Sequence, residues 1–178
     1  MSHDALQLTR WTVTSGSNVQ SRGAVVIEAG DHHWQASSQG NGAVDALFSA
    51  VDGALAEVLE GHPRLIGYDV HAMAEGPAAE GLVSVRIRPP ASAEGARSEG
   101  EYTGSSRGTN IIAASIEAYI EALNLMLDEA HWADAPETAG RGRRAARAAQ
   151  GVVGADRGTR AEFDRDKGHP DTTSWFEQ

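Results

Sequence analysis

Seven histidines, His3, His32, His33, His62, His71, His131 and His169, are the side chains best suited to metal ligation or proton transfer in this sequence. No HxxxH, HExxH or HxH pair occurs among them, so none is spaced to share a metal on one helix or strand face. His32 and His33 are neighbours in an extended run, which sends their side chains to opposite faces. His71 falls on the strand face opposite Tyr68 and Ala72. A structural or surface role is the better expectation for each. The chain has no cysteine, and its only lysine is Lys167, so thiolate sites, disulfides, Schiff-base chemistry and P-loop phosphate binding are not expected of its body. Glu75, Glu80, Glu99 and Glu101 sit in loop-like stretches and read as solvated acids. Gly40-x-Gly42-x-x-Asp45 lacks the third glycine of a dinucleotide fingerprint, and its flanking strands are joined too tightly for a parallel crossover. No G-x-S-x-G elbow is present. The expectation is a protein that is not an enzyme, with no metal and no cofactor.

Two glycine breaks remain, Gly40-Asn41-Gly42 and Gly104–Gly108, each opening a helical pattern. Free backbone N–H groups at a helix start can hold a carboxylate, and an apolar strand face beside them can hold hydrocarbon. A tight strand-to-helix turn that needs glycine is an equally good account of the same residues.

The elements around these breaks follow one order twice. Leu6–Thr14, Gly23–Glu28 and His32–Ser38 read as strands, followed by a helix in which Val44, Leu47, Phe48, Val51, Leu55 and Val58 recur at helical spacing. Gly61-His62-Pro63 stops it. Leu65–Met73 alternates, with Ile66, Tyr68, Val70 and Ala72 on one face; Leu82–Arg88 alternates with Val83, Val85 and Ile87 inward. A short strand at Glu101-Tyr102-Thr103 precedes the second glycine break and a helix from near Asn110 to Leu127. The fold class expected is α+β: two β-β-β-α units related by pseudo-symmetry, with antiparallel sheets packed on helices. The domain is placed at 5–132, and 133–178, rich in Ala, Gly, Arg and Asp, is expected to be a low-complexity, disordered tail. Within that tail, Arg141–Arg147 is basic and Trp175-Phe176 is aromatic.

In the last helix the polar residues Glu117, Glu121, Asn124 and Asp128 form a narrow stripe, and nearly all the rest is apolar. Such a helix is buried on more than one side. Either a second subunit covers it, through Ile111, Ile112, Ile116, Tyr119, Ile120 and Leu123, or it is sandwiched within its own domain. The net charge of −10 argues against nucleic acid or an anionic membrane as partner. No apolar run is long enough to span a bilayer, no signal peptide opens the chain, and a cytoplasmic home is expected.

Three stretches carry a resemblance. They are Gly40-Asn41-Gly42-Ala43-Val44-Asp45-Ala46-Leu47; Leu65-x-x-Tyr68-x-Val70-His71-Ala72-Met73; and Thr109-Asn110-Ile111-Ile112-Ala113-Ala114-Ser115-x-x-Ala118-Tyr119-x-x-Ala122-Leu123-Asn124. In order and spacing this series resembles the C-terminal allosteric, or dimerisation, domain of α-isopropylmalate synthases and the related citramalate synthases. The resemblance implies two β-β-β-α units that dimerise and bind leucine, or isoleucine, as a feedback inhibitor. Carried over by position, the effector would lie against Gly40, Asn41, Gly42, Val44, Leu65, Tyr68 and Ala72, with Ala79 and Gly81 beside it. The pattern departs from the family at Asn110, where an acid often stands, and at Gly76-Pro77-Ala78-Ala79, which lacks the usual aspartate. About five residues precede the first strand, where the family carries a catalytic barrel of roughly 250 residues. The expectation is therefore a stand-alone regulatory homodimer with a branched-chain amino acid as effector and a separately encoded synthase as partner. The alternative is a dimerisation module without an effector.

Overall fold

A computed structural model describes residues 4–139. Of the expected tail, residues 140–178, with Arg141–Arg147 and Trp175-Phe176, lie outside the described residues. Two antiparallel three-stranded sheets are each followed by helix. The first joins β1 (Gln7–Gly16), β2 (Val19–Ala29) and β3 (His32–Gly40); the second joins β4 (Arg64–Ala72), β5 (Gly81–Arg88) and β6 (Tyr102–Gly108), both in chain order. Short connections make this meander possible. Ala29 pairs with His32 across a two-residue loop, where Gly30 takes φ +54 at no steric cost.

Helix α1 (Ala43–Ala54) covers β2 and β3, and α3 (Ile111–Leu127) covers β5 and β6. The helical run expected to continue to Val58 instead steps at Leu55 into a short α2 (Ala56–Leu59). Leu55, Val58 and Leu59 are fully buried, so the step keeps them in the core. Glu60 ends α2 in the left-handed region at φ 57, and Gly61 follows at φ 144.

The core is continuous between the units. Val25, Ile27 and Trp34 of the first sheet, Val83, Val85 and Ile87 of the second, and Leu47, Val51, Ile116, Leu123 and Met126 of the helices are all buried in one cluster. Burial on this scale is the main stabilising term, at about 1.5–3 kcal/mol for each large apolar side chain.

Two sequence expectations change. Gly104–Gly108 is not a break but the body of β6. Gly104 is there because a Cβ would run into the backbone of Ala118 and Ala122, so it lets α3 lie close to the strand. Ordered packing also runs beyond the composition change at Asp134. Trp132, Ala135 and Ala139 are buried and 135–139 is helical. Arg97 fastens this segment: its guanidinium bonds Glu60 at 2.8 Å, Asp134 at 2.6 Å and the His131 carbonyl, and lies 5.0 Å over the Trp132 ring.

Candidate functional site

Of the nine candidate effector residues, seven fall into two groups, with Tyr68 as a bridge and Leu65 at the far end of β4. Gly40, Asn41, Gly42 and Val44 gather at the start of α1. Gly40 is buried hard against the helix, where a Cβ would strike the Ala46 backbone and the Asp45 carboxylate. Gly42 is the N-cap, with open space where a Cβ would be and no side-chain cap bond. Ala72, Ala79 and Gly81 gather at the other group. Ala72 pairs with Gly81, Ala79 closes a turn onto the Gly76 carbonyl at 3.2 Å, and a Cβ on Gly81 would meet the Ile111 side chain at the start of α3.

Tyr68 is the bridge. Its ring meets Phe48 of α1 edge-on, with centroids 6.3 Å apart, and its hydroxyl lies 2.8 Å from the Ser115 hydroxyl of α3. Phe48 is one helical turn beyond Val44 and so shares its face, which brings Tyr68 beside the first group. Leu65 and Ala72 are not brought together. They stand seven residues apart on one extended strand, roughly 20 Å at about 3.3 Å per residue. One small amino acid cannot touch both.

The two helix starts differ electrically. Asn110 caps α3 with its side-chain oxygen, accepting from the Ile112 and Ala113 N–H groups at 3.1 Å each. Those donors are taken. At α1 the carboxylate of Asp45 accepts from the Asn41 N–H at 2.8 Å, while the first-turn donors have no side-chain cap. The α1 start therefore presents free N–H groups beside a carboxylate, whereas the α3 start presents neither.

The six candidate interface residues lie on α3. Ile116, Tyr119, Ile120 and Leu123 are all buried within this one chain, while Ile111 and Ile112 are half-buried and packed on the same core. Side chains with no exposed area have none left to bury against a second subunit. Within the single chain α3 is thus packed largely on its own domain, with Ile111 and Ile112 keeping part of their surface open. The polar stripe works as a seam: Glu121 accepts from the Ser105 N–H at 2.5 Å, Glu117 from the Ser106 hydroxyl at 2.8 Å, and Asn124 exchanges bonds of 2.7 and 3.0 Å with the Leu6 backbone.

Apart from Leu125 on α3, most of the exposed large apolar side chains of the described residues are on or next to β4. Across an antiparallel pair, opposed residues share a face. Leu65, Tyr68 and Val70 therefore share the face of Ile87, Val85 and Val83. The β5 residues are fully buried under α3, yet Leu65, Tyr68 and Val70 are 49%, 39% and 43% exposed. The inner face of β4 overhangs its helix. Sequence periodicity had set Ile66 on this face; a bulge between Leu65 and Gly67 puts Leu65 there instead.

Phe48, Ser115 and Asp52, which were not among the candidate site residues, complete this neighbourhood together with Tyr119, a candidate for the interface. Phe48 stacks on Tyr119 at 4.4 Å between centroids, and the Tyr119 hydroxyl donates to Asp52. One signal was available: Asp52 follows Phe48 by four residues, an acid on an otherwise apolar helix face.

Comparison with known sequences decides the family. The profile described as the LeuA allosteric (dimerisation) domain matches residues 1–127. The chain belongs to this family. Its relatives include 2-isopropylmalate synthases from Methylobacterium nodulans, 32% identical over 127 residues, and from Salinibacter ruber, 30% identical over 134. The matches cover 70% and 75% of this chain but 22% of each relative. A third, from Methylorubrum populi, is 32% identical over 68% of the chain and 21% of the relative. The chain thus spans about a fifth of the length of the synthases it matches. Among the described residues, no helix is long and apolar enough to cross a membrane, and no group of three or more His, Asp or Glu is placed to hold a metal.

Proposed function

We propose that this chain is a regulatory rather than a catalytic module, which binds a small branched-chain amino acid and pairs with a second copy of itself. The observation that carries the reading is the match to an allosteric, dimerisation family over the whole two-unit fold. Its site is the start of α1 together with Tyr68. There the uncapped first-turn N–H groups suit an effector carboxylate, Asp45 suits its ammonium, and Val44, Phe48 and Tyr68 supply apolar surface. A free amino acid satisfies both charges. A 2-keto or 2-hydroxy acid of the same skeleton lacks the ammonium and meets Asp45 as like charge. Output to a 2-isopropylmalate synthase-type catalytic unit in a cytoplasmic setting is part of this proposal.

Self-association is assigned to the overhanging β4 face rather than to α3, because Leu65, Tyr68 and Val70 are the large apolar side chains left uncovered there. A thermal-shift panel of leucine, isoleucine and valine against the matching keto and hydroxy acids tests the site. A binder at about 100 times its Kd adds roughly 2.7 kcal/mol. An amino-acid response that exceeds the keto-acid response supports the reading; silence across the panel leaves a module that only associates. Light scattering tests the surface: dimers at tens of micromolar that become monomers in Val70→Asp are expected, and a monomeric parent protein would refute association.

A further inference from the structure

Asp52 sits on α1 with its side chain only 17% exposed, where α1 meets α3. One carboxylate oxygen accepts from the Tyr119 hydroxyl of α3, and the other lies 3.9 Å from Nδ1 of His62, in the turn after α2. Tyr119 and His62 are the titratable groups facing it. Asp45, on the same helix, lies two turns away at the other end, beside Asn41. An ionised carboxylate accepts several hydrogen bonds in water; here it has one short donor and one exposed imidazole beyond bonding distance. Burial therefore pushes the Asp52 carboxyl up to about 6, against the opposing pull of the Tyr119 hydroxyl and then of His62. Burial, and next the charge of Asp52, drive the Tyr119 hydroxyl well above its ordinary value, so it remains the donor.

The pair lies at one end of a continuous contact path. Tyr119 stacks on Phe48, Phe48 meets Tyr68 edge-on, and Tyr68 reaches Ser115. We propose that Asp52 and Tyr119 form a proton-operated tie between the two β-β-β-α units, which His62 biases toward release: with Asp52 protonated, it holds α1 against α3; ionised, it draws water between the helices and loosens Phe48 and, through it, Tyr68 on β4.

The sign follows from linkage. A carboxyl whose folded pKa is raised contributes stability that is fully present below about 4 and is lost as pH rises through about 6. Denaturant unfolding of the full chain from pH 4 to 8, with hydrogen–deuterium exchange of α1 and α3, compares the parent with Asp52→Asn. Asparagine keeps an acceptor for Tyr119 and removes the charge. Across that window the folding equilibrium constant of the parent is expected to fall, relative to Asp52→Asn, by up to roughly a hundredfold. Exchange in α1 and α3 should rise with it. His62→Gln should move the step to higher pH, because it removes a group that favours the ionised form. Parallel pH profiles for the parent and Asp52→Asn would overturn the tie. Should Asp52→Asn not fold, Tyr119→Phe keeps the ring stack and removes the donor, and a step that fails to move upward in pH overturns it equally. No effector enters these measurements, and light scattering at each pH separates them from association, so their failure would leave the effector reading standing.

Discussion

The two β-β-β-α units place the same residues in the same geometry and then finish them differently. In the first strand of each, an apolar triplet faces the core: Leu8, Trp11 and Val13 on β1, and Leu65, Tyr68 and Val70 on β4. A bulge falls at the same point in both, between Leu8 and Arg10 and between Leu65 and Gly67. The triplet on β1 is packed against the core, whereas the triplet on β4 stands open. The helices account for the difference. At 17 residues, α3 is long enough to cross from its own sheet to the other unit, where Asn124 clasps Leu6 just before β1. At 12 residues, α1 stops at the step before it can do the same for β4, which it meets where Phe48 touches Tyr68. One unit is closed by the chain itself, whereas among the described residues the inner face of β4 in the other stays open.

The close approach of helix to strand in the second unit gives the largest expected effect. Gly104→Val would push a branched side chain into the backbone of α3 at Ala118 and Ala122, which cannot move aside as a flexible side chain could. Overpacking of this kind costs about 3 kcal/mol, read as a lower urea midpoint. A change below 1 kcal/mol would mean that α3 can ride away from β6, and that the seam of Glu117 and Glu121 is looser than their bonds imply.

Next comes the clasp on β1. Asn124→Ala removes two hydrogen bonds to a backbone that is otherwise unpaired at the strand entry, and uncovers Leu6, which is 2% exposed. The loss should be about 1–2 kcal/mol, with faster hydrogen exchange confined to the β1 end. If β1 exchanges no faster, the packing of Leu8, Trp11 and Val13 holds the strand without the clasp, and another reason is needed for the openness of β4.

Periodicity made the strand order, the helices and the inward faces of β5 legible, because alternation and helical spacing are local properties. It could not place Leu65, since a bulge changes which residue faces inward without changing the composition. Nor could it distinguish the glycines. Gly40 and Gly104 look like turn residues in sequence, yet both are extended positions pressed against a helix, and only the partner element reveals why a Cβ is excluded. The polar stripe of α3 was legible only in part for a related reason. Glu117, Glu121 and Asp128 are indeed its exposed side, yet Glu117, Glu121 and Asn124 also bond the open edge of β6 and the start of β1, partners that only the fold brings near. At the candidate site, the glycines at the start of α1 were legible, but the contacts of Tyr68 with Phe48 and Ser115 join residues 20 and 47 positions apart in sequence, beyond the reach of any local pattern.

The smallest effect probes why α1 is the shorter helix. Gly53 lies in its last turn, exposed, with a Cβ position 3.7 Å from the Ala36 side chain, which is ordinary contact. No positive φ demands glycine there. Gly53→Ala should therefore stabilise the protein by about 0.5–1 kcal/mol, through better helix propensity and a less flexible unfolded chain, seen as a modest rise in Tm. The step at Leu55 is a separate matter. If glycine alone causes it, alanine should let α1 and α2 run together, and the amides after Leu55 should gain exchange protection. If the burial of Leu55, Val58 and Leu59 sets it, stability should rise while the step and its exchange pattern stay as they are. The second outcome is expected, because three fully buried side chains outweigh one residue of propensity by several kcal/mol. It would place the cause of the open β4 face in the packing of the first unit rather than in a single flexible residue.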